Sequence, residues 1–506
     1  MEESSNKRII KNSAMLFFRM LITMGISLYS SRIILENLGI EDYGTYNAVG
    51  SFVAMFGFIN SSMTACTMRY LTHALGKGDN ENLMKTFSTS LIIHIIIALI
   101  ITILAETVGL WFIQNKLEIA PDSRDIAMWV YQISIITTII MIISVPYNAV
   151  IVAHEKMSAF AYISVIDVLL RLFVALSISL FTNNKLIIYA ILLLLIQLII
   201  RLIYGVYCHH NFIETRGKLY FNRGLAKEMF SFATWDLYGN FSTVVRTQGV
   251  AILLYNFFGA VSNAASAISS QIQGTVMQIV NNVIMAVRPQ IIKSYSAENF
   301  TRMNLLIERG TIFSFLLMVT IATPIMVELP TILKIWLVEI PEYTIVFCRT
   351  TLIFSAVTIL SMYLSTGVHA TGNVKRVSFI NGTLYISVIP LAYIAYKLNA
   401  KAEIAYILNI FTAILGVLNF AWTLHIQMQT FSFSKYMKNV FIKCIIIITT
   451  FLITVFYIRS YISNELIGFV ISFATSILLC IVTLILTTKK EEKQLITKYI
   501  RKWRHH

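Results

Sequence analysis

Apolar runs separated by short polar turns alternate along this chain from one end to the other. Measured against the roughly 20 residues a helix needs to cross hydrocarbon, they resolve into fourteen stretches. Six lie at roughly 9–34, 44–70, 86–113, 125–152, 158–181 and 186–208. Six more lie at roughly 228–258, 261–288, 305–329, 344–368, 377–397 and 403–427, and two follow at roughly 438–461 and 465–488. All far exceed the roughly 9–11 residues of a barrel strand. A helix also satisfies its own backbone in lipid. The pattern therefore predicts an all-α integral membrane protein of about 14 transmembrane helices.

Two stretches depart from uniform apolarity. The second carries small residues at helical spacing (Gly50, Ala54, Gly57, Ser61), which let helices pack closely. The eighth carries amides. Gln271, Gln278 and Asn282 follow steps of seven and four, so they share a face. Amides on a lipid-facing helix are costly, so this face reads as the polar wall of a wet cavity, with interhelical hydrogen bonding as the alternative.

Composition narrows the classes. Of 506 residues, 57% are hydrophobic and 13% charged, and mean hydropathy is +0.73. So few charges cannot solvate so much apolar surface, which excludes a soluble enzyme, a disordered chain and a nucleic-acid-binding domain. The net charge of +15 then points to cation-rich cytoplasmic loops rather than to nucleic acid. Five cysteines without a CxxC pair give no reason to expect a disulfide or a zinc site.

Cations crowd alternate loops: Lys7, Arg8 and Lys11; Lys77 and Lys85; Arg216 to Lys227; Lys293 and Arg302; Lys375 and Arg376; and the tail from Lys489. The positive-inside rule places these loops and both termini in the cytoplasm. The tail 489–506 reads either as a basic amphipathic helix on the inner leaflet or as a solvated tail.

A weak internal repeat adds organisation. LENLGIEDYGTYNAVG (35–50) resembles LYNFFGAVSNAASAIS (254–269). In both, a helix bearing an Arg ends at a glycine, Gly39 or Gly259. Six spans separate the copies, so they share one orientation, as in a parallel repeat. The expected organisation is an N-lobe of helices 1–6 at 1–210, a cytoplasmic linker at 211–227, a C-lobe of helices 7–12 at 228–428, helices 13–14 at 429–488, and the tail. Two parallel-repeat lobes around a central cavity suit a transporter.

Intramembrane charges are the candidate chemistry, because ionised groups in hydrocarbon usually face a cavity or a partner. Arg19 and Arg246 are expected to make a cationic cavity for an anionic substrate, with Asp236 as counter-ion. A structural Arg–Asp pair is the competing reading. Asp167 and Arg171 stand four apart, which puts them within pairing distance as a neutralised or titrating pair. Arg32, Arg69 and Arg288, near helix ends, read as snorkelling anchors. Glu106 and His94 read as isolated groups, His94 with a hydrogen bond. No Walker motif, HExxH or metal cluster is present, so no catalytic residue and no metal is expected.

Particular segments then carry a family likeness. RMLITMGISLYSSRIILENLGIEDYGTYNAVG (19–50), RYLTHALGKGDNENLMKTFSTS (69–90), PYNAVIVAHEKMSAFAYISVID (146–167) and ILKIWLVEIPEY (332–343) resemble Wzx-type polysaccharide flippases. These belong to the multidrug/oligosaccharidyl-lipid/polysaccharide exporter (MOP) superfamily. The resemblance implies two six-helix lobes plus two C-terminal helices. It also implies alternating access that moves an undecaprenyl-diphosphate-linked oligosaccharide across a bacterial inner membrane, for O-antigen, capsule or exopolysaccharide synthesis. Its partners would be that lipid-linked oligosaccharide, membrane lipids and glycan polymerase machinery. It would need no cofactor beyond a coupling ion, proton or sodium. By resemblance the cationic cavity residues fall on Arg19 and Arg246, with acidic partners at Asp167 and Asp236. An ion-coupled multidrug antiporter of the same superfamily is the alternative, and a membrane glycan polymerase or ligase is the second.

Overall fold

In the computed structural model, the described residues are 12–27, 29–30, 33–34, 36–38, 57–115, 124–217, 219–336 and 340–487. Among them there is no strand. Helix α1 covers residues 12–27. Helices α2 (Gly57–Lys77) and α3 (Asn80–Asn115) follow, the latter with a π turn at Ala105–Gly109. Then come α4 (Arg124–Ala153), α5 (Met157–Leu180) and α6 (Lys185–Asn211).

A continuous helical stretch, Arg223–Ser296, breaks at Gly259, whose φ of 78° is open to glycine but strained for other residues. The break divides it into α7 (223–258) and α8 (260–296). Gly39, the matching glycine of the repeat, lies outside the described residues. Helix α9 (Phe300–Val327) leads through a short helix (Leu329–Trp336) to α10 (Thr344–Thr371), α11 (Lys375–Lys397) and α12 (Ile404–Gln427). The last two are α13 (Phe433–Ser460) and α14 (Glu465–Thr487).

Ten described helices are long and apolar enough to cross a membrane. The predicted spans they leave out have identifiable reasons. Spans 1 and 2 fall partly outside the described residues. Spans 7 and 8 correspond to α7 and α8, whose charges and amides dilute their apolar content. Large side chains such as Ile103, Trp129, Phe173, Leu202, Phe456 and Val470 are exposed, as a lipid-facing surface requires.

Proximity divides the chain into two units. The first comprises Met1–Phe241, Met285–Met303 and Thr366–Gly382; the second comprises Ser242–Ile284, Asn304–Ser365 and Thr383–His506. The expected lobes follow the repeat, whereas these units follow contact, so the boundary crosses helices. The ends of α7, α8 and α11 that carry Lys227, Lys293 and Lys375 all fall in the first unit.

In the first unit α4 is the hub, packed on α2, α3 and α6. Leu71, Tyr131, Met157 and Ile178 are wholly buried there. The linker is docked rather than free. The Asn222 amide donates to Thr89 Oγ1 at 3.2 Å, and buried Glu214 meets His154 at 2.6 Å. Asn222 then caps α7 by accepting from the Leu225 amide at 3.1 Å. In the second unit, buried Glu328 takes Arg459 at 2.6 Å and the Ser472 hydroxyl at 2.7 Å, which ties α13 and α14 to the end of α9.

Candidate functional site

The first unit holds a cluster of buried ionisable groups around α2. Arg69, 9% exposed, extends its guanidinium to the end of α10. Its Nε donates to the His369 carbonyl at 2.8 Å and its Nη2 to the Ala370 carbonyl at 3.4 Å. The last carbonyls of a helix lack intrahelical partners and carry the negative end of its dipole, so a cation is an apt cap. Gly372 has φ 82° and turns the chain immediately afterwards; a side chain there would overlap the Arg69 guanidinium. The rings of Tyr70 and Phe232 lie 4.4 and 5.5 Å from that guanidinium. The sequence suggested a snorkelling anchor at Arg69; the structure instead makes it an interhelical clasp.

The imidazole of the same His369 lies 3.3 Å from Asp236 of α7, an ion pair when the ring is protonated. Asp236 also accepts from Asn240 at 3.1 Å, and Asn240 donates to Ser62 at 2.7 Å. Arg288 of α8 is within electrostatic reach of the same carboxylate. Asp236 is thus engaged by His369, which sequence reasoning did not select. Also missed was Glu155, whose carboxylate is 1% exposed and meets Lys293 at 2.7 Å and the Gln290 amide. Its only sequence signal is an acid in the short turn between α4 and α5.

Arg19 of α1 is partly exposed, and its guanidinium lies 4.9 Å from the Phe160 ring. On α5, Arg171 donates to Asp167 at 3.1 Å, the pair that the four-residue spacing allowed. His94 is fully buried and bonded to the Ser90 carbonyl at 2.8 Å, while Glu106 accepts from Gln132 at 3.2 Å.

The second unit holds Arg246 of α7, 7% exposed. Its guanidinium lies 4.9 Å from the Phe354 ring and 4.6 Å from the Tyr385 ring. Among the described residues no carboxylate pairs with it, and its buried Nη1 has no hydrogen-bond partner. Aromatic faces stabilise such a cation without neutralising it.

Helix α8 in this unit presents Gln271, Thr275 and Gln278 as an exposed polar stripe. Asn282, on the same helical face, does not join the exposed stripe. It is 5% exposed, because the helix there enters a packed region in which Val280 and Ile284 are buried too. Gln273, on another side, donates to Ser355 at 2.8 Å. The amides of α8 therefore divide between an exposed stripe and interhelical bonding. Among the described residues, no group of His, Cys, Asp and Glu is arranged to hold a metal ion.

Comparison with known proteins bears on the fold. Residues 16–177, less than half of the chain, match the MatE family model. A search of curated proteins finds no match. One similar solved structure is an outward-facing multidrug resistance MATE family transporter of the MOP superfamily. Its TM-score is 0.73 at 14% identity, covering 85% of this chain and 97% of that one. A MATE in the bent conformation gives 0.72 at 14% identity, with coverage of 84% and 97%. A MOP superfamily transporter from Pyrococcus furiosus Vc1, described by the reverse polarity of its binding pocket, gives 0.71 at 15% identity, with coverage of 84% and 96%. The all-helical membrane fold is therefore that of the MATE transporters.

Proposed function

We propose that the chain is an alternating-access transporter that moves an undecaprenyl-diphosphate-linked oligosaccharide from the cytoplasmic to the periplasmic leaflet of a bacterial inner membrane. The observation that carries this reading is Arg246, a buried cation between two aromatic rings with no carboxylate beside it among the described residues. Such a group is stabilised most by an arriving anion. A guanidinium suits phosphate oxygens in particular, because its donors pair with them bidentately. The exposed stripe of Gln271, Thr275 and Gln278 supplies donors and acceptors for sugar hydroxyls. Arg19 is the second cation of the proposal. Asp236, with Asp167 and Arg171, is the coupling group for a proton or sodium ion. Glycan polymerase machinery is the expected downstream partner.

The alternative is an ion-coupled drug antiporter. It is favoured by the buried Asp236–His369 pair, a titratable acid of the kind that cation exchange uses. Proteoliposomes holding the purified chain separate the two. The flippase reading expects translocation of a labelled lipid-diphosphate oligosaccharide and no efflux of cationic dyes. Dye efflux with no lipid translocation would replace it with the antiporter.

A further inference from the structure

Beside the Arg69 clasp, within the first unit, lies a cavity of about 600 Å³. Three helices supply its cations: Arg69 from α2, Lys227 from α7 and Lys375 from α11. One carboxylate, Glu228, shares the lining. The nearby Asp236 is engaged by His369 and Asn240. The excess of positive charge is reinforced by the start of α11. Val374 and Lys375 line the cavity, the first turn of that helix holds no acid, and its dipole adds positive potential there.

The cavity is built and not merely basic. The Lys375 ammonium lies 5.2 Å from the Trp235 ring, so the indole holds the charge at the cavity wall. Trp235 is half-buried, whereas Lys227 and Lys375 are exposed, so the site has a firm apolar wall and an open cationic rim. Lys227 stands four residues from the start of α7, about 6 Å along the axis, and Lys375 opens α11. Those positions correspond to the headgroup level of a helix that crosses a membrane.

We propose that this cavity binds a phosphate-ester anion and that the bound anion holds the α2–α10 clasp closed. The cationic rim takes the phosphate, and the Trp235 wall takes the organic part of the ester. Cations on α2, α7 and α11 then share one counter-ion, which joins the helix carrying Arg69 to α7 and to α11, the helix that follows the Gly372 turn. The inference is independent of which substrate the transporter carries. The ester has two possible sources: the headgroup of an anionic phospholipid, or a soluble phosphomonoester.

The test uses the full chain in phosphatidylcholine nanodiscs, with Trp235 fluorescence and the melting temperature as readouts. One arm titrates glycerol 3-phosphate; the other replaces part of the lipid with phosphatidylglycerol. The expected result is a fluorescence change and a raised melting temperature in at least one arm. A response confined to the first arm identifies a soluble ester, and one confined to the second identifies a lipid. Trp235→Phe should remove the fluorescence change but keep the thermal shift. The double variant Lys227→Gln/Lys375→Gln should weaken the response by about tenfold or more, the loss expected for charge-assisted contacts. Should that variant fold poorly, Lys227→Gln alone serves, with a smaller loss expected. An unresponsive wild type in both arms, or lysine variants that respond as the wild type does, would overturn the proposal.

Discussion

Arg69 and Arg246 are both arginines buried within a helical membrane protein, at 9% and 7% exposure, yet they are satisfied in different ways. Arg69 spends its donors on the carbonyls that end α10. Arg246 rests between Phe354 and Tyr385 and keeps a buried Nη1 unpartnered among the described residues. The first arrangement commits two nitrogens to backbone carbonyls and holds helices together. The second leaves a cation with aromatic contacts and no carboxylate among the described residues. The depth of a charge therefore does not by itself mark a binding group; what matters is whether the protein has already supplied its partners.

The largest effect that sharpens this contrast is expected at Arg69. Arg69→Met should cost about 3 kcal/mol, because it strips charge-assisted bonds from buried carbonyls. Thermal denaturation in detergent would show it, and an unchanged melting temperature would remove the clasp from the account. Gly372→Ala attacks the same clasp from the other side. It forces a side chain to φ 82° and into the Arg69 guanidinium, for an expected loss of about 2 kcal/mol by the same measurement.

Arg246→Met should behave oppositely. Replacing an uncompensated buried cation with an apolar side chain should leave stability unchanged or raise it by about 1 kcal/mol. Translocation of the proposed lipid-diphosphate substrate should fall at least about tenfold, the cost of one charge-assisted contact. A large stability loss would instead mark Arg246 as a structural residue like Arg69.

The smallest effect concerns His73, one turn beyond Arg69 on α2. Burial, then the Arg69 and Lys77 cations, pull its pKa from 6.5 down to about 4. The folded chain therefore holds this ring neutral where the unfolded chain would protonate it. Its contribution to stability is present above about pH 6.5 and is lost as pH falls towards 4. A melting curve against pH should show that decline, and His73→Gln should flatten it. Arg69→Met should shift the midpoint upward, since one of the repelling cations is gone.

Much of the fold was legible because lipid imposes a simple rule on the chain. The apolar runs mark the helices, and the Gly259 break and the Asp167–Arg171 pair follow from local geometry. The clasp was not legible. Arg69 bonds to backbone carbonyls on another helix, and a carbonyl leaves no trace in the side-chain sequence. His369 gave no stronger signal, since its partner Asp236 comes from α7. Gln271 and Gln278 lie exposed on α8, whereas Asn282 is buried because packing near Ile284, rather than the helical angle, sets exposure there.

On the proposed function, Arg246 awaits an anionic oxygen. A side-chain-resolved map of the chain with a bound lipid-diphosphate oligosaccharide tests it most directly. Phosphate density is expected within hydrogen-bond distance of Arg246 Nη1. Density placed elsewhere, with Arg246 still held only by Phe354 and Tyr385, would contradict it.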